Sequence, residues 1–117
     1  MRDDPSALLP VLRMAWSSAT STQWLADNPA RGQCNVTTLV VHDMFGGEIL
    51  KTEAPGGWHF YNRVAGRRHD LTASQFEQPI SYADIASDRT EALAGTERRQ
   101  YGVLKQRIAL LMGRGGG

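Results

Sequence analysis

Between Ser6 and about Ala19 the apolar residues Leu8, Leu9, Leu12, Ala15, Trp16 and Ala19 recur at three- and four-residue spacing, the signature of an amphipathic helix. Asp3, Asp4 and Ser6 stand in front with side chains that cap helix N-termini. A short helical turn is expected at Thr22–Ala26, and Asp27-Asn28-Pro29-Ala30-Arg31-Gly32-Gln33 then reads as a loop. The run CNVTTLVVHDMF, from Cys34 to Phe45, is nearly continuous in apolar and β-branched residues, and local preference alone would make it a strand. Its length, the Gly32-Gln33 entry and the Gly46-Gly47 exit favour a buried helix, in which tertiary packing overrides propensity.

Beyond the glycine pair, Glu48–Glu53 reads as a strand, Pro55-Gly56-Gly57 interrupts it, and Trp58–Val64 reads as a second. Ala65-Gly66 predicts a hairpin turn into a third strand, Arg67–Thr72, giving a three-stranded antiparallel sheet. Pro79-Ile80-Ser81-Tyr82 looks extended, and Ser87–Ala94 reads as a short helix. Tyr101, Leu104, Ile108 and Leu111 form one helical stripe beside Arg98, Lys105, Gln106 and Arg107, predicting a C-terminal helix that packs on the sheet. The expected fold is therefore α+β: helices on one face of a small antiparallel sheet, with the Cys34 helix central and its N-terminus at the sheet edge. One domain spans residues 1–112, and the glycine-rich 113–117 is set aside as a flexible tail.

Composition narrows the function. The chain of 117 residues has 13 Lys and Arg against 12 Asp and Glu, a net charge of +1 that offers no footprint for nucleic acid or an anionic membrane. The N-terminus is acidic and broken by prolines, unlike an export signal, and no stretch approaches a membrane span. A lone cysteine cannot form an intramolecular disulfide, which favours a reducing cytoplasm.

That cysteine begins the buried helix. A thiol is a weak nucleophile until it becomes a thiolate, and a helix N-terminus with a neighbouring imidazolium favours the thiolate. Of the three histidines, His42 lies eight residues further along the same helix, roughly 12 Å away along the axis, and is out of reach. His59 on the second strand and Asp70 on the third remain. With an even number of residues in the Ala65-Gly66 loop, Tyr61 faces Asp70, and His59 and Asp70 become diagonal neighbours on one face; an odd loop would separate them. An acyl-transfer site also needs oxyanion donors. The Cys34 N–H is one, and Asn28 leads the side-chain candidates ahead of Gln23 and Gln33. Trp24, Trp58 and Tyr61 are candidates to line a substrate cleft. Each has a plainer reading: Cys34 as a small buried hydrophobe, His59 as a strand histidine satisfied by a neighbour, Asp70 as a turn cap or partner of Arg67 or Arg68, and the tryptophans as core. Arg63, Arg67, Arg68 and His69 read as a solvated hairpin edge rather than an anion site. No ligand pair around Cys34 has the close spacing of a zinc site.

Residues 28–34, Asn-Pro-Ala-Arg-Gly-Gln-Cys, followed by Val36-Thr37-Thr38-Leu39-Val40-Val41, resemble the signature of the YunG-like family of small bacterial proteins. Gly46-Gly47-Glu48-Ile49-Leu50-Lys51, His59-Phe60-Tyr61-Asn62-Arg63, Asp70-Leu71-Thr72 with Gln75-Phe76, and Arg99, Tyr101, Leu104, Lys105 and Arg107 resemble its later motifs, so the likeness covers roughly Trp16 to Leu110. That pattern is in turn similar to the papain-like superfamily of peptidases, amidases, transglutaminases and acyltransferases, in which a helix-borne Cys meets a His and a polar residue on adjacent strands, a likeness that adds to the helical reading of Cys34–Phe45. The resemblance implies roles for Cys34 as nucleophile, His59 as proton carrier and Asp70 as its orienting partner, and an acidic third member is closer to transglutaminases and arylamine acetyltransferases. The expected activity is thiol-dependent hydrolysis or acyl transfer at an amide, isopeptide or thioester carbonyl, with no cofactor. The substrate is a small or peptide-like acyl compound, or a partner protein completes the site. The competing expectation is a non-catalytic binding or accessory module on the same scaffold.

Overall fold

The computed structural model describes residues 4–116, with side chains as far as Gly113; residues 1–3 and 117 lie outside it, and with them Asp3, one of the three expected capping residues. A 3-10 turn at Pro5–Leu8 leads into α1, Leu9–Ala15. Asp4 caps the turn by accepting from the Ser6 N–H at 3.0 Å. Pro10 sits in the first turn of α1, where a missing N–H costs nothing. The first helix thus stops four residues short of the expected Ala19. Side chains explain it: Ser17 N–H donates to Thr20 Oγ1 and Ala19 N–H to Ser17 Oγ, offering the backbone an alternative to the helical ladder. Thr22–Ala26 likewise forms turns instead of helix, with Gln23 N–H bonded to Ser21 Oγ and an isolated bridge between Leu25 and Asn28.

α2 is Cys34–Phe45, the residues expected. Its β-branched run remains helical because it is enclosed: Val36 through Val41 are all buried, against the sheet on one side and other helices elsewhere. β1, Glu48–Ala54, and β2, Gly57–Val64, pair from Glu48 opposite Arg63 to Ala54 opposite Gly57. β3 is only Arg67–His69, with Val64 opposite Arg67 and Asn62 opposite His69. Its loop is two residues, Ala65 at φ 53° and Gly66 at φ 81°, the left-handed pair that matches strand twist in a tight hairpin. Thr72 N–H turns back onto Asp70 Oδ1 at 3.3 Å, ending the strand before the expected Thr72.

A fourth strand corrects the expected three. β4, Ile85–Ser87, adds antiparallel to the free edge of β1, giving the order β3-β2-β1-β4. α3, Arg89–Ala94, follows, with Asp88 as N-cap accepting from Glu91 N–H. α4, Arg98–Gly116, continues into the glycine-rich tail that was set aside from the fold. It packs chiefly on α1 and α2 rather than on the sheet as expected; Leu104 and Ile108 join Leu12, Trp16 and Val40, with Val64 the sheet residue in that cluster. Among the described residues no helix is long and apolar enough to cross a membrane.

Strand alternation divides the sheet into two faces. Ile49, Phe60, Asn62 and Val64 meet α2, where Asn62 Nδ2 donates to Thr38 O. Leu50, Thr52, His59 and Tyr61 point the other way, and residues 70–84 form a strap over them. Thr52 Oγ1 donates to Ser81 O and accepts from Ala83 N–H, and Tyr61 OH donates to Asp84 Oδ1.

Gly47 marks where α2 hands over to β1. At φ 79°, a Cβ there would lie 2.3 Å from Arg63 O, whereas one at Gly46 would meet nothing within 4 Å. Gly47→Ala should therefore lower unfolding free energy by more than about 2 kcal/mol, and by more than Gly46→Ala, in urea denaturation of the two variants.

Candidate active site

The entry to α2 is shaped by the two residues that precede Cys34. Gly32 has φ 74°, and a Cβ there would come within 2.4 Å of Ser21 Oγ and 2.9 Å of Gln23 Cβ, so only glycine lets the loop close beneath the helix. Gln33 is buried; its Oε1 accepts from Thr20 Oγ1 at 2.8 Å, and its backbone carbonyl accepts from Thr37 N–H to start the helix. These contacts leave Cys34, half-buried, as the first residue of α2, where its N–H has no intrahelical acceptor. Its Sγ donates to Asn35 Oδ1 at 3.3 Å, and Asn35 is anchored in turn by donating from Nδ2 to Ala92 O at 2.8 Å.

His59 and Asp70 meet as the even hairpin loop requires. His59 Nε2 lies 2.7 Å from Asp70 Oδ2, with side chains only 3% and 5% exposed. Phe76 from the strap presses edge-on against the imidazole at 4.8 Å. Asp70 is held at both oxygens: Oδ2 also accepts from Tyr82 OH at 2.7 Å, and Oδ1 accepts from Thr72 N–H and Oγ1. Burial disfavours the imidazolium, but hydrogen bonding to Asp70 and Cys34, and the charges of both, outweigh it and lift the His59 pKa from 6.5 to about 9. With Nε2 committed to Asp70, Nδ1 is the nitrogen left for the thiol.

Cys34, Asn35, His59, Trp58, Phe76 and Gln23 line a cavity of about 200 Å³. It adjoins a groove of about 670 Å³ between the β1–β2 turn and the strap; Gln23, Pro55, Gly56, Gln75 and Phe76 border both.

The proposed nucleophile, proton carrier and third member thus come together, and Trp58, 48% exposed, stands beside them. Other expected site residues do not. Asn28 lines the larger groove, not the Cys34 cavity, and its Nδ2 donates to Gln75 O at 3.2 Å, tying two loops together. Gln33 is turned into the protein by Thr20. Trp24 packs on the apolar cluster beneath α1. Tyr61 is buried and donates to Asp84; its burial and then that hydrogen bond push its hydroxyl pKa up to about 12. Gln23, ranked behind Asn28 in the sequence, does line the cavity, with the carboxamides of Asn35 and Gln75. Asn35, Phe76 and Tyr82 were missed; adjacency to Cys34 signalled the first, but the other two reach the site only through the course of the strap. His42 stays at the far end of α2 beside Arg89, and Arg63 and Arg68 are paired with Glu48 and Asp84.

The raised His59 pKa has a definite linkage. Protonation favours the folded state, so this stabilisation is complete below about pH 6.5 and is lost as pH rises through about 9. Urea midpoints should decline over that window, and the decline should be smaller in His59→Gln; identical profiles would show that His59 is not held protonated.

The family described as YunG protein matches residues 4–113. The Bacillus subtilis (strain 168) "Uncharacterized protein YunG" is 44% identical over 96 residues, covering 82% of this chain and 84% of that protein. No solved structure matches. The family match spans the loop, α2, the hairpin and the strap that build the cavity, and the chain belongs to the YunG family.

Proposed function

We propose that this protein is a thiol-dependent hydrolase or acyltransferase of papain-like chemistry, acting on an amide, isopeptide or thioester carbonyl. The observation that carries the reading is the buried His59–Asp70 pair at the wall of the cavity that holds Cys34. The Cys34 thiolate attacks the carbonyl carbon, forming a C–S bond and placing negative charge on oxygen. The Cys34 N–H, at the N-terminus of α2, and the Gln23 carboxamide, which lines the same cavity, are the donors assigned to that oxygen in this reading. Collapse of the adduct breaks the bond to the leaving nitrogen or sulfur, which takes the His59 proton. Water or an amine then attacks the thioester while neutral His59 accepts its proton, and free Cys34 is regenerated. Asp70 holds the ring throughout.

The small cavity suits a narrow acyl group, and the adjoining groove gives the rest of the substrate a place to lie. This chain therefore supplies substrate-binding surface of its own, although a partner protein remains compatible with the open groove.

Iodoacetamide labelling of Cys34 at about pH 6.5 tests the pairing. Wild type should react at least about tenfold faster than His59→Ala, with Asp70→Asn between them. Equal rates would sink the nucleophile assignment and favour the non-catalytic binding module. Intact-mass detection of a thioester adduct on Cys34 from small amide and thioester libraries would then identify the acyl group.

A further inference from the structure

Asp70 Oδ2 accepts two hydrogen bonds of 2.7 Å, one from His59 Nε2 and one from the Tyr82 hydroxyl. Two donors on one oxygen compete for the same electron density, so each weakens the other. We propose that Tyr82 is a positioning residue that, through Asp70, limits how tightly His59 holds its proton. The inference rests on the reading of His59 as the proton carrier of the Cys34 site. An imidazolium gripped too firmly by a buried carboxylate is a poor acid toward a leaving group, because the best proton donors have pKa values near the working pH. Tyr82 relieves that grip without removing the carboxylate that orients the ring.

The surroundings of Tyr82 suit the task. Its ring meets Tyr61 edge-on at 4.9 Å, and the Arg68 guanidinium lies 4.6 Å from its centre. Arg68 is locked in place by Nε and Nη2 hydrogen bonds to the two oxygens of Asp84 at 2.9 and 2.8 Å, and Asp84 N–H donates to Tyr61 OH. A cation over the ring face polarises the hydroxyl toward donation. Burial and the hydrogen bond to Asp70 both push the Tyr82 pKa up, keeping it a donor at working pH. Around His59, the titratable side chains are Cys34 from α2, Asp70 beyond β3, Tyr61 from its own strand and Tyr82 from the strap, with Arg68 and Asp84 behind them. Thr72 holds the other oxygen of Asp70 at 3.3 Å, so the carboxylate stays oriented when the Tyr82 hydroxyl is removed.

The test is an NMR titration of the His59 ring in the intact protein, assigned by its loss in His59→Gln. Tyr82→Phe keeps the aromatic packing and removes only the hydroxyl, and should raise the His59 pKa by about half a unit or more. Site-specific replacement of Tyr82 by 3-fluorotyrosine, a more acidic phenol and stronger donor, should lower it. A residue that merely fills space would give no shift in either, and an unchanged value or the opposite sign overturns the proposal. Should Tyr82→Phe not fold, the fluorinated protein decides alone. The titration reads His59 whether or not Cys34 forms any acyl adduct, so loss of the catalytic reading and loss of this inference are separate results.

Discussion

The hydrogen bond between His59 and Asp70 makes demands on nearly every element around it. Asp70 lies one residue beyond β3, so it reaches the face of β2 that carries His59 only if the β2–β3 loop has an even number of residues. Ala65 and Gly66 meet that condition by both adopting positive φ, which for Ala65 stores a modest strain repaid by a tight hairpin. The pair is also buried, and two charges removed from water are costly unless their remaining lone pairs and protons are satisfied. Here Thr72 and Tyr82 complete Asp70, and His59 lines the same cavity as Cys34. Much of the strap's path follows from supplying those partners.

The same pair fixes where α2 must begin. Cys34 can stand beside the β1–β2 turn and the start of β2 only if the preceding loop passes close beneath the helix, and that closeness is why Gly32 has no room for a Cβ and why the Gln33 side chain is drawn inside to Thr20. The opposite end of α2 is secured by a polar cluster: Arg89 reaches Leu39 O and His42 and pairs with Asp43, which Tyr101 also meets. With both ends fixed and its middle enclosed by apolar contacts, the helix has little freedom to change the distance between Cys34 and β2.

The parts legible in the sequence were those governed by short-range rules. Glycine-bounded runs located β1, β2 and their turns, and counting put Asp70 beside His59 on the condition of an even hairpin loop, which the two-residue Ala65-Gly66 turn meets. α2 was legible despite its strand-like composition, because its length, its glycine boundaries and the family resemblance spoke against local preference. The failures share a different cause. β4 is three residues with no alternation to detect, and only the free edge of β1 makes it a strand. Asn28, Gln33 and Tyr61 were of suitable chemical type near the right positions, but each is claimed by a distant partner, Gln75, Thr20 or Asp84. Side-chain direction in a loop depends on which partners the fold brings close, and sequence spacing carries no such information.

On the proposed reading, one irregular segment, the strap, serves both the groove and the imidazole. Phe76 touches the His59 ring and borders both the Cys34 cavity and the larger groove. Pro79, Ile80 and Ser81 form the groove's wall, and Tyr82, the next residue, turns inward to Asp70. A molecule lying in the groove would therefore press on a segment whose two ends contact the imidazole and its carboxylate partner. In a larger protein, binding and proton control can reside in separate elements. Here the sheet has one face taken by helices, so in the proposed mechanism the strap must serve both, and the same run of backbone sets the surroundings of His59 and the wall of the groove.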